Sequence, residues 1–501
     1  MNVIVVGSGP AGVSVAKGLL EQGCEVTLLD VGNTLEPEKK QLLFNIQQSN
    51  SLTEISSLQY HANAKKKIKL PYNSNFIYKG VTDYFAWHNL NCHFQPSFAE
   101  GGLSNVWGSA VAEYSKDDLC DWPGTCRDLS FYYAEIISWL DKYYNTNTSN
   151  MSRQASYLKN CWKKNITQLK TKGFSFDSST LAVDFRRCRF CGLCQYGCPY
   201  ELIYHSSIHL LWLKQQSCFN YIKGVVVEKF SEENHKVSLF IKDIKNNEQH
   251  KLMTDRLFIA CGTGLSSLLY LRSLNEDGRE LKIKDSQHFI LPCLIDKPFA
   301  RKGVTTDPLH ALCQLKLSLS EKHVSKYPVY FQLYTYMDLY KYEIKNKLKW
   351  IYPFVKHFFN PMIEKFIVLQ GYLDPKESNQ LIIQYQKSGE FIIKDDKSKH
   401  KSINTAIQNI LVHLKKNKAD LGFTPLRFLL SKSLTGQSNH INGSLMMSEN
   451  PKDNESDIWG RPSQFNRVHF VDGSILPDIL AGPITLTIMA NAYRIGKEVP
   501  L

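Results

Sequence analysis

Asn2-Val3-Ile4-Val5-Val6-Gly7-Ser8-Gly9-Pro10-Ala11-Gly12 is a short apolar run followed by a tight glycine loop. Asn2 to Val6 reads as a buried strand, and Val13 to Gln22 repeats apolar residues at helical spacing. Glu25 to Leu29 reads as a second strand, ending at Asp30. Strand, glycine turn, helix, strand and acid, in that order, meet the requirements of a dinucleotide-binding unit. Gly7 allows the sharp turn, Gly9 lets backbone approach a pyrophosphate, and Gly12 permits the helix to pack closely on the sheet. Pro10 and Ala11 lie in the loop that leads into this helix, whose N-terminal free amides and positive dipole end suit a phosphate. Asp30, eighteen residues beyond Gly12, is placed to accept hydrogen bonds from the adenosine ribose. The alternative is a glycine-rich turn with no ligand.

Further along stands Gly101-Gly102-Leu103-Ser104-Asn105-Val106-Trp107-Gly108, where glycines and small polar residues surround one Trp. Such backbone can pass close to a flat ring, which makes Gly102, Ser104, Asn105 and Trp107 candidate contacts; an ordinary turn is the alternative. Tyr221 to Phe230 and Lys236 to Lys242 have strand composition. Arg256 to Gly264, with Gly262 in its loop, and the apolar helix Ser266 to Leu274 return the chain to the dinucleotide sheet. Val468 to Leu501 again combines strand, glycine turn and helix. Strand candidates at Val329 to Tyr334 and Gln380 to Gln386, among charged spacers, predict a second domain. The expected fold is α/β: a discontinuous Rossmann-like domain over 1–285 and 431–501, a second α+β domain over 286–430, and a cysteine-rich insertion at 185–200.

That insertion reads Cys188-Arg189-Phe190-Cys191-Gly192-Leu193-Cys194-Gln195-Tyr196-Gly197-Cys198-Pro199. Its C-x2-C-x2-C-x3-C-P spacing is that of bacterial iron-sulfur ligation, and soft thiolates suit the metal. In two-cluster ferredoxins the last Cys of such a run serves the other cluster, and the chain has no second run. Either all four thiols hold one 4Fe-4S cluster, or Cys198 stands outside a 3Fe-4S cluster or one completed by Cys92, Cys126, Cys161 or Cys218. Structural zinc and an empty site are the other readings.

The 501 residues are 43% hydrophobic and 21% charged, enough apolar matter for a large core and unlike disordered, collagenous or coiled-coil chains. With 60 Lys and Arg against 47 Asp and Glu, the net charge of +13 favours acidic partners. Basic runs such as Lys65-Lys66-Lys67 lie in no recognisable nucleic-acid fold, so nucleic acid is not an expected partner. The start lacks a basic n-region and cleavage site, and no apolar run reaches the ~20 residues of a membrane span. The expected location is the cytoplasm, either in solution or peripheral at the inner membrane face. Thirteen cysteines, an odd count in tight local clusters, point to reduced thiols and a metal site.

Near the C-terminus stand His440-Ile441-Asn442-Gly443-Ser444, then His469-Phe470-Val471-Asp472-Gly473-Ser474, then Thr485-Leu486-Thr487-Ile488-Met489-Ala490. With the N-terminal fingerprint, these segments resemble the glucose-methanol-choline family of FAD-dependent oxidoreductases. The resemblance covers about half the chain by the fold's expected segmentation; residues 286–430 do not contribute to it. It implies FAD as cofactor and His440 as the catalytic residue beside the flavin. It also implies that Asp472, Gly473 and Thr485 hold the cofactor's flavin end and that Gly102 to Trp107 lie against its ring. Some members bind flavin covalently through a His before the tryptophan; Val106 at that position implies noncovalent FAD. The family's second His or Asn falls here on Pro483, preceded by Gly482, and neither side chain can hydrogen bond. Asn439 and Asn442 are the nearby candidates to replace it.

His440 also suits the chemistry without the family, because imidazole titrates where a general base for alcohol oxidation should. His469 reads as structural. The expected activity is a dehydrogenase that oxidises a sugar, polyol or alcohol and relays electrons through the cluster to ferredoxin, a cytochrome or a quinone. The charge also admits a phosphorylated or acidic substrate. Alternatives are a ferredoxin-fed reductase of a carbonyl or carbon-carbon double bond, and a degenerate FAD-binding protein. Residues 347–359 mix Lys347, Lys349, Trp350, Phe354, Phe358 and Phe359. They read as a lid element with buried aromatics, or as peripheral contact with a bilayer.

Overall fold

Five parallel strands form the first sheet in the order Val468–Phe470, Arg256–Ile259, Asn2–Val6, Glu25–Asp30, Phe219–Lys223. In this computed structural model the described residues are 1–49, 69–144, 151–296, 310–335, 349–354 and 365–501. Val3 to Val6 are all buried, as a central parallel strand covered on both faces requires. The helix Pro10–Glu21 packs on this sheet and crosses the last helix, Thr485–Glu498. The crossing is very close: a Cβ on Gly18 would stand 2.7 Å from the carbonyl carbon of Gly496, and one on Gly496 would stand 2.4 Å from the Val15 carbonyl oxygen. Tyr221 to Phe230 is not one strand. The chain breaks at Gly224, so that Phe219–Lys223 joins the parallel sheet and Val225–Glu233 starts an antiparallel sheet with Lys236–Asp243 and Gln249–Thr254.

A seven-stranded sheet makes the second domain, its path running Phe423–Pro425, His288–Ile295, Phe366–Tyr372, Val329–Thr335, Leu315–Leu319, Phe174–Ser178, with the short strand Ser431–Lys432 pairing with His288–Ile295 beside it. Side chains alternate between its faces. Phe289, Leu291, Leu333, Ile367 and Leu369 turn one way, into a core shared with Ile403, Ile407, Ile410 and Leu414 of the helix His400–Lys416. His288, Ile290, Gln332, Tyr334, Gln370 and Tyr372 turn the other way, onto a cavity between the domains.

The domain boundaries differ from 286–430 in two places. The sheet takes its edge strand from Phe174–Ser178, and the helix Arg153–Lys164 shares its core, so this domain is discontinuous as well. Gln380–Tyr385 and Phe391–Asp395 instead join Glu280–Lys284 and Trp87–Leu90 in a four-stranded sheet and pack into the first core through Leu381, Ile383, Phe391 and Ile393. Residues 185–200 form turns, with no helix or strand. Among the described residues, no helix is long and apolar enough to cross a membrane. Of the segment 347–359, residues 349–354 are described; Trp350 is 76% and Phe354 is 74% exposed, which removes these two from a buried lid.

Candidate active site

The glycine turn is dictated by packing as much as by any ligand. A Cβ on Gly7 would lie 2.6 Å from the Ala260 carbonyl oxygen, and one on Gly12 would lie 1.9 Å from the Gly7 carbonyl oxygen. Gly9 is different, since a Cβ there would meet nothing within 4 Å and would point into open space. Gly9 caps the helix without a side chain, so the first helical amides have no side-chain acceptor at that cap. This is a cradle for a phosphate. Gly7, Ser8, Gly9, Pro10 and Ala11 all line a cavity of about 650 Å³, whereas Gly12 serves the packing beneath it.

Asp30 ends the second strand, buried, and accepts the Ser8 hydroxyl; the Tyr221 hydroxyl stands 3.4 Å away. Burial pushes the Asp30 carboxyl up to about 7, with nearby Glu100 adding to the rise. Glu100 stands 3.3 Å from the same Tyr221 hydroxyl. Glu100 and Tyr221 were not legible as site residues, because only the pairing of Phe219–Lys223 with Glu25–Asp30 and the Gly101 loop bring them to Asp30.

The Gly101–Gly108 loop is tied to the glycine turn by serines. The Gly101 amide donates to Ser8 Oγ at 2.9 Å, Ser104 Oγ donates to the Gly101 carbonyl at 2.6 Å, and Ser206 Oγ donates to the Ser8 carbonyl at 2.9 Å. Gly102, Ser104 and Trp107 line the cavity, and Trp107 is fixed by its Nε1, which donates to the Tyr204 carbonyl at 2.7 Å. Asn105 does not reach the cavity: its amide folds back on the Glu100 and Gly102 carbonyls at 3.0 and 2.8 Å.

Gly262, Asp472, Gly473 and Thr485 also line the cavity. The Asp472 carboxylate is occupied within the protein, accepting the Gly262 amide at 2.8 Å, Ser266 Oγ at 2.5 Å and the Ser474 amide at 2.9 Å. It locks the C-terminal segment to the Gly262 loop, and burial raises its pKa.

His440 is half-buried on the cavity wall. Its Nδ1 is sealed from solvent with no hydrogen-bond partner among the described residues, which leaves Nε2 as the nitrogen open to the cavity. Burial pulls its pKa down to about 4, so the ring is neutral at neutral pH. Its plane is set by the Tyr372 ring, stacked at 4.8 Å between centroids. Its backbone is set by Ser438, which receives the His440 amide at 2.8 Å and donates to buried Asp285; Asp285 also accepts the Gly436 amide at 2.7 Å. Burial pushes the Asp285 carboxyl up to about 6. His469 is buried at the sheet edge, stacked on Phe258, away from the cavity.

At Pro483 only the carbonyl engages, accepting the Tyr114 hydroxyl at 3.0 Å. Asn442 turns its amide onto the His440 carbonyl at 3.3 Å and does not line the cavity, while Asn439, exposed on left-handed backbone, does. The open cradle at Gly9, the helix amides above it and buried Asp30 together fit FAD. Gly7 to Ala11 and Asp30 would hold its adenosine and pyrophosphate end, and Gly102, Ser104, Trp107 and Gly473 its flavin end.

Cys188, Cys194 and Cys198 pack against one small apolar group, and Cys191 against its neighbour. Backbone amides of Phe190, Ala311 and Leu202 donate to the sulfurs of Cys188, Cys194 and Cys198 at 3.4, 3.4 and 3.5 Å. Burial raises all four thiols, Cys198 to about 11, and each of the other three raises Cys194 further by its charge. All thirteen cysteines are free thiols. Among the described residues, however, no three His, Cys, Asp or Glu side chains gather closely enough to hold a metal ion. Cys92 and Cys126 belong to the first core and Cys161 packs on the second, so these three do not join the patch.

No family model matches the sequence, and no curated protein matches it. The structure is similar to the crystal structure of pyridoxine 4-oxidase from Mesorbium loti, with a TM-score of 0.61 and 12% identity, over 99% of this chain and 98% of that one. At this identity the likeness is one of fold. The chain therefore has that overall fold along its length, an α/β arrangement of a Rossmann-like domain and a second domain facing one cavity.

Proposed function

We propose that the chain is a FAD-dependent oxidoreductase, similar to the glucose-methanol-choline family, that oxidises a hydroxyl group of a small molecule. His440 carries this reading: a neutral imidazole, open at Nε2, on the wall of the cavity that the glycine turn and the Trp107 loop also line. When bound, FAD supplies a hydride acceptor at flavin N5. The hydroxyl proton passes to His440 Nε2 as the carbinol C–H bond breaks with its electron pair and the C=O bond forms. Tyr372 keeps the imidazole in plane, and the Asp285 and Ser438 pair keeps its backbone from swinging away.

Electron exit through Cys188, Cys191, Cys194 and Cys198 to a one-electron acceptor is the finer part of the proposal. Its support is placement: Gln195 and Tyr196, within the cysteine run, line the same cavity as Trp107. Since no three thiols gather at ligating distance, an iron-sulfur cluster there requires the 188–198 turns to close, and the oxidation itself does not depend on it. Exposed Trp350 and Phe354 support peripheral contact with a bilayer in the same reading. A reductase working in the opposite direction draws on one observation, the absence of a second hydrogen-bonding side chain at Pro483.

The test is the spectrum of anaerobically purified protein with hydroxyl compounds added. Bleaching of bound flavin, slowed ~100-fold or more in His440→Ala, supports the proposal. Bound flavin that no hydroxyl compound bleaches overturns it.

A further inference from the structure

The three most exposed large apolar side chains among the described residues are Trp350, Phe354 and Phe428, at 76%, 74% and 70%. They belong to two stretches that leave the second sheet at the same end. Thr335 pairs with Ile367, Phe366 with Leu294, and Leu294 with Thr424, so four adjacent strands meet at that end. The connection that carries Trp350 and Phe354 leaves it after Thr335 and returns at Phe366. The other stretch follows the strand Phe423–Pro425, where the Leu426 amide donates to the Pro292 carbonyl at 2.9 Å before the turn Arg427–Leu429.

From that turn the chain runs along the sheet edge, with Ser431 and Lys432 opposite Ile290 and Phe289, as a wall one strand thick. Leu429, Ser431 and Ser433 line the cavity, whereas Phe428, Lys432 and Leu434 between them are exposed. The outer side is apolar and basic. From Leu421 to Ser448 the sequence holds Arg427 and Lys432 and no Asp or Glu, and exposed Lys349 precedes Trp350. Lys432 donates to Asn404, and Asp296, at the foot of the wall, accepts the Thr424 hydroxyl at 3.1 Å. Arg427 and Lys349 therefore carry the outward charge beside the three aromatic rings.

Rings that stand this far out of the surface, with basic residues next to them, match a bilayer interface: the rings seat at the acyl boundary and the cations meet lipid phosphate. A second copy of the chain fits less well, because a two-fold contact would set Arg427, Lys432 and Lys349 against their own counterparts. We propose that Trp350, Phe354 and Phe428, with Lys349 and Arg427, dock the protein on an anionic phospholipid surface. The outer side of the 427–434 wall then lies against the lipid while its inner side faces the cavity. This rests on the peripheral-contact reading above and deepens it, adding a second stretch of chain and the sign of the lipid charge.

The experiment floats the flavin-loaded full chain with vesicles of phosphatidylcholine, alone or with about 30% phosphatidylglycerol, and measures the partition of each. The variants are Phe428→Ser, Trp350→Ser with Phe354→Ser, and Arg427→Glu. Val412→Ser, exposed on the helix His400–Lys416 at the other face of the sheet, is the control. Anionic vesicles should bind at least about tenfold more tightly than neutral ones, and less tightly as salt is raised. Phe428→Ser, the Trp350 and Phe354 pair, and Arg427→Glu should each weaken binding roughly fivefold or more, with bound flavin unchanged; Val412→Ser should not. No flotation, equal flotation with neutral vesicles, or flotation unmoved by Phe428→Ser and Arg427→Glu overturns the proposal. So does a dimer in vesicle-free solution that Phe428→Ser dissociates, which gives the surface to a second copy. Bleaching of the flavin by hydroxyl compounds, recorded without vesicles, tests the oxidation reading separately: flotation without bleaching upholds the docking surface and overturns that reading, and bleaching without flotation does the reverse.

Discussion

The imidazole of His440 lies nearly parallel to the ring of Tyr372, with centroids 4.8 Å apart and planes at 20°. One residue comes from the C-terminal return to the first domain and the other from the middle of the second sheet. The orientation of His440, the proposed proton acceptor, is thus set by the packing of one domain on the other.

Replacing His440 with Ala should leave FAD bound, since the glycine turn and Asp30 are untouched. Flavin reduction by substrate should slow ~100-fold or more, the scale of a lost general base. Stopped-flow bleaching, normalised to bound flavin absorbance, measures it; near-normal bleaching removes His440 from the role.

The pH profile of flavin reduction should lack the usual histidine limb. Proton acceptance needs the neutral ring, which is present above the folded-state pKa and lost as pH falls through about 4. An unshifted histidine would lose it near ~6.5. The rate constant should therefore stay level on acidification from pH ~8 to ~5.5 and fall only below ~5. A midpoint near 6.5 would show that the ring is solvated when substrate binds.

Gly12→Ala should weaken both fold and cofactor binding, because the added methyl meets the Gly7 carbonyl at 1.9 Å. Overpacking of this kind costs roughly 1–3 kcal/mol and displaces the turn itself. Gly124→Ala is the control, since a methyl there makes only an ordinary contact, 3.5 Å from Glu449 Oε1, on backbone that any residue adopts. A lower thermal midpoint and a lower flavin content in Gly12→Ala than in Gly124→Ala would match the expectation.

Iron and acid-labile sulfide should accompany the anaerobically purified protein and disappear in Cys191→Ser. Reoxidation by a one-electron acceptor should then slow before flavin reduction does. Zinc in place of iron, or no metal in the parent protein, would leave the four thiols as a structural patch.

The N-terminal unit was legible because it is local: strand, turn, helix, strand and Asp30 follow one another within thirty residues and appear at Asn2–Val6, Pro10–Glu21 and Glu25–Asp30. The composition of the second domain was legible as strand-rich, but not that Phe174–Ser178 would close its edge, since nothing local marks a strand that pairs with Leu315–Leu319. Asp472 read as a cofactor acid because its neighbours resemble a cofactor segment. Its carboxylate in fact accepts three protein donors, a role set by the Gly262 loop far away in the chain. Asp285 and Tyr372, which orient His440, sit in stretches with no motif at all. Their significance comes only from the strands that carry them to the cavity.

The close crossing of Gly18 and Gly496 has a consequence for biosynthesis. The glycine turn is synthesised more than 450 residues before the helix Thr485–Glu498, whose Gly496 meets Gly18, and long before the edge strand Val468–Phe470. Such widely separated contacts cannot form on a nascent chain. The glycine turn therefore stands without its covering helix until Thr485–Glu498 has been made, and a truncation that removes this helix should leave a cradle that no longer holds its shape.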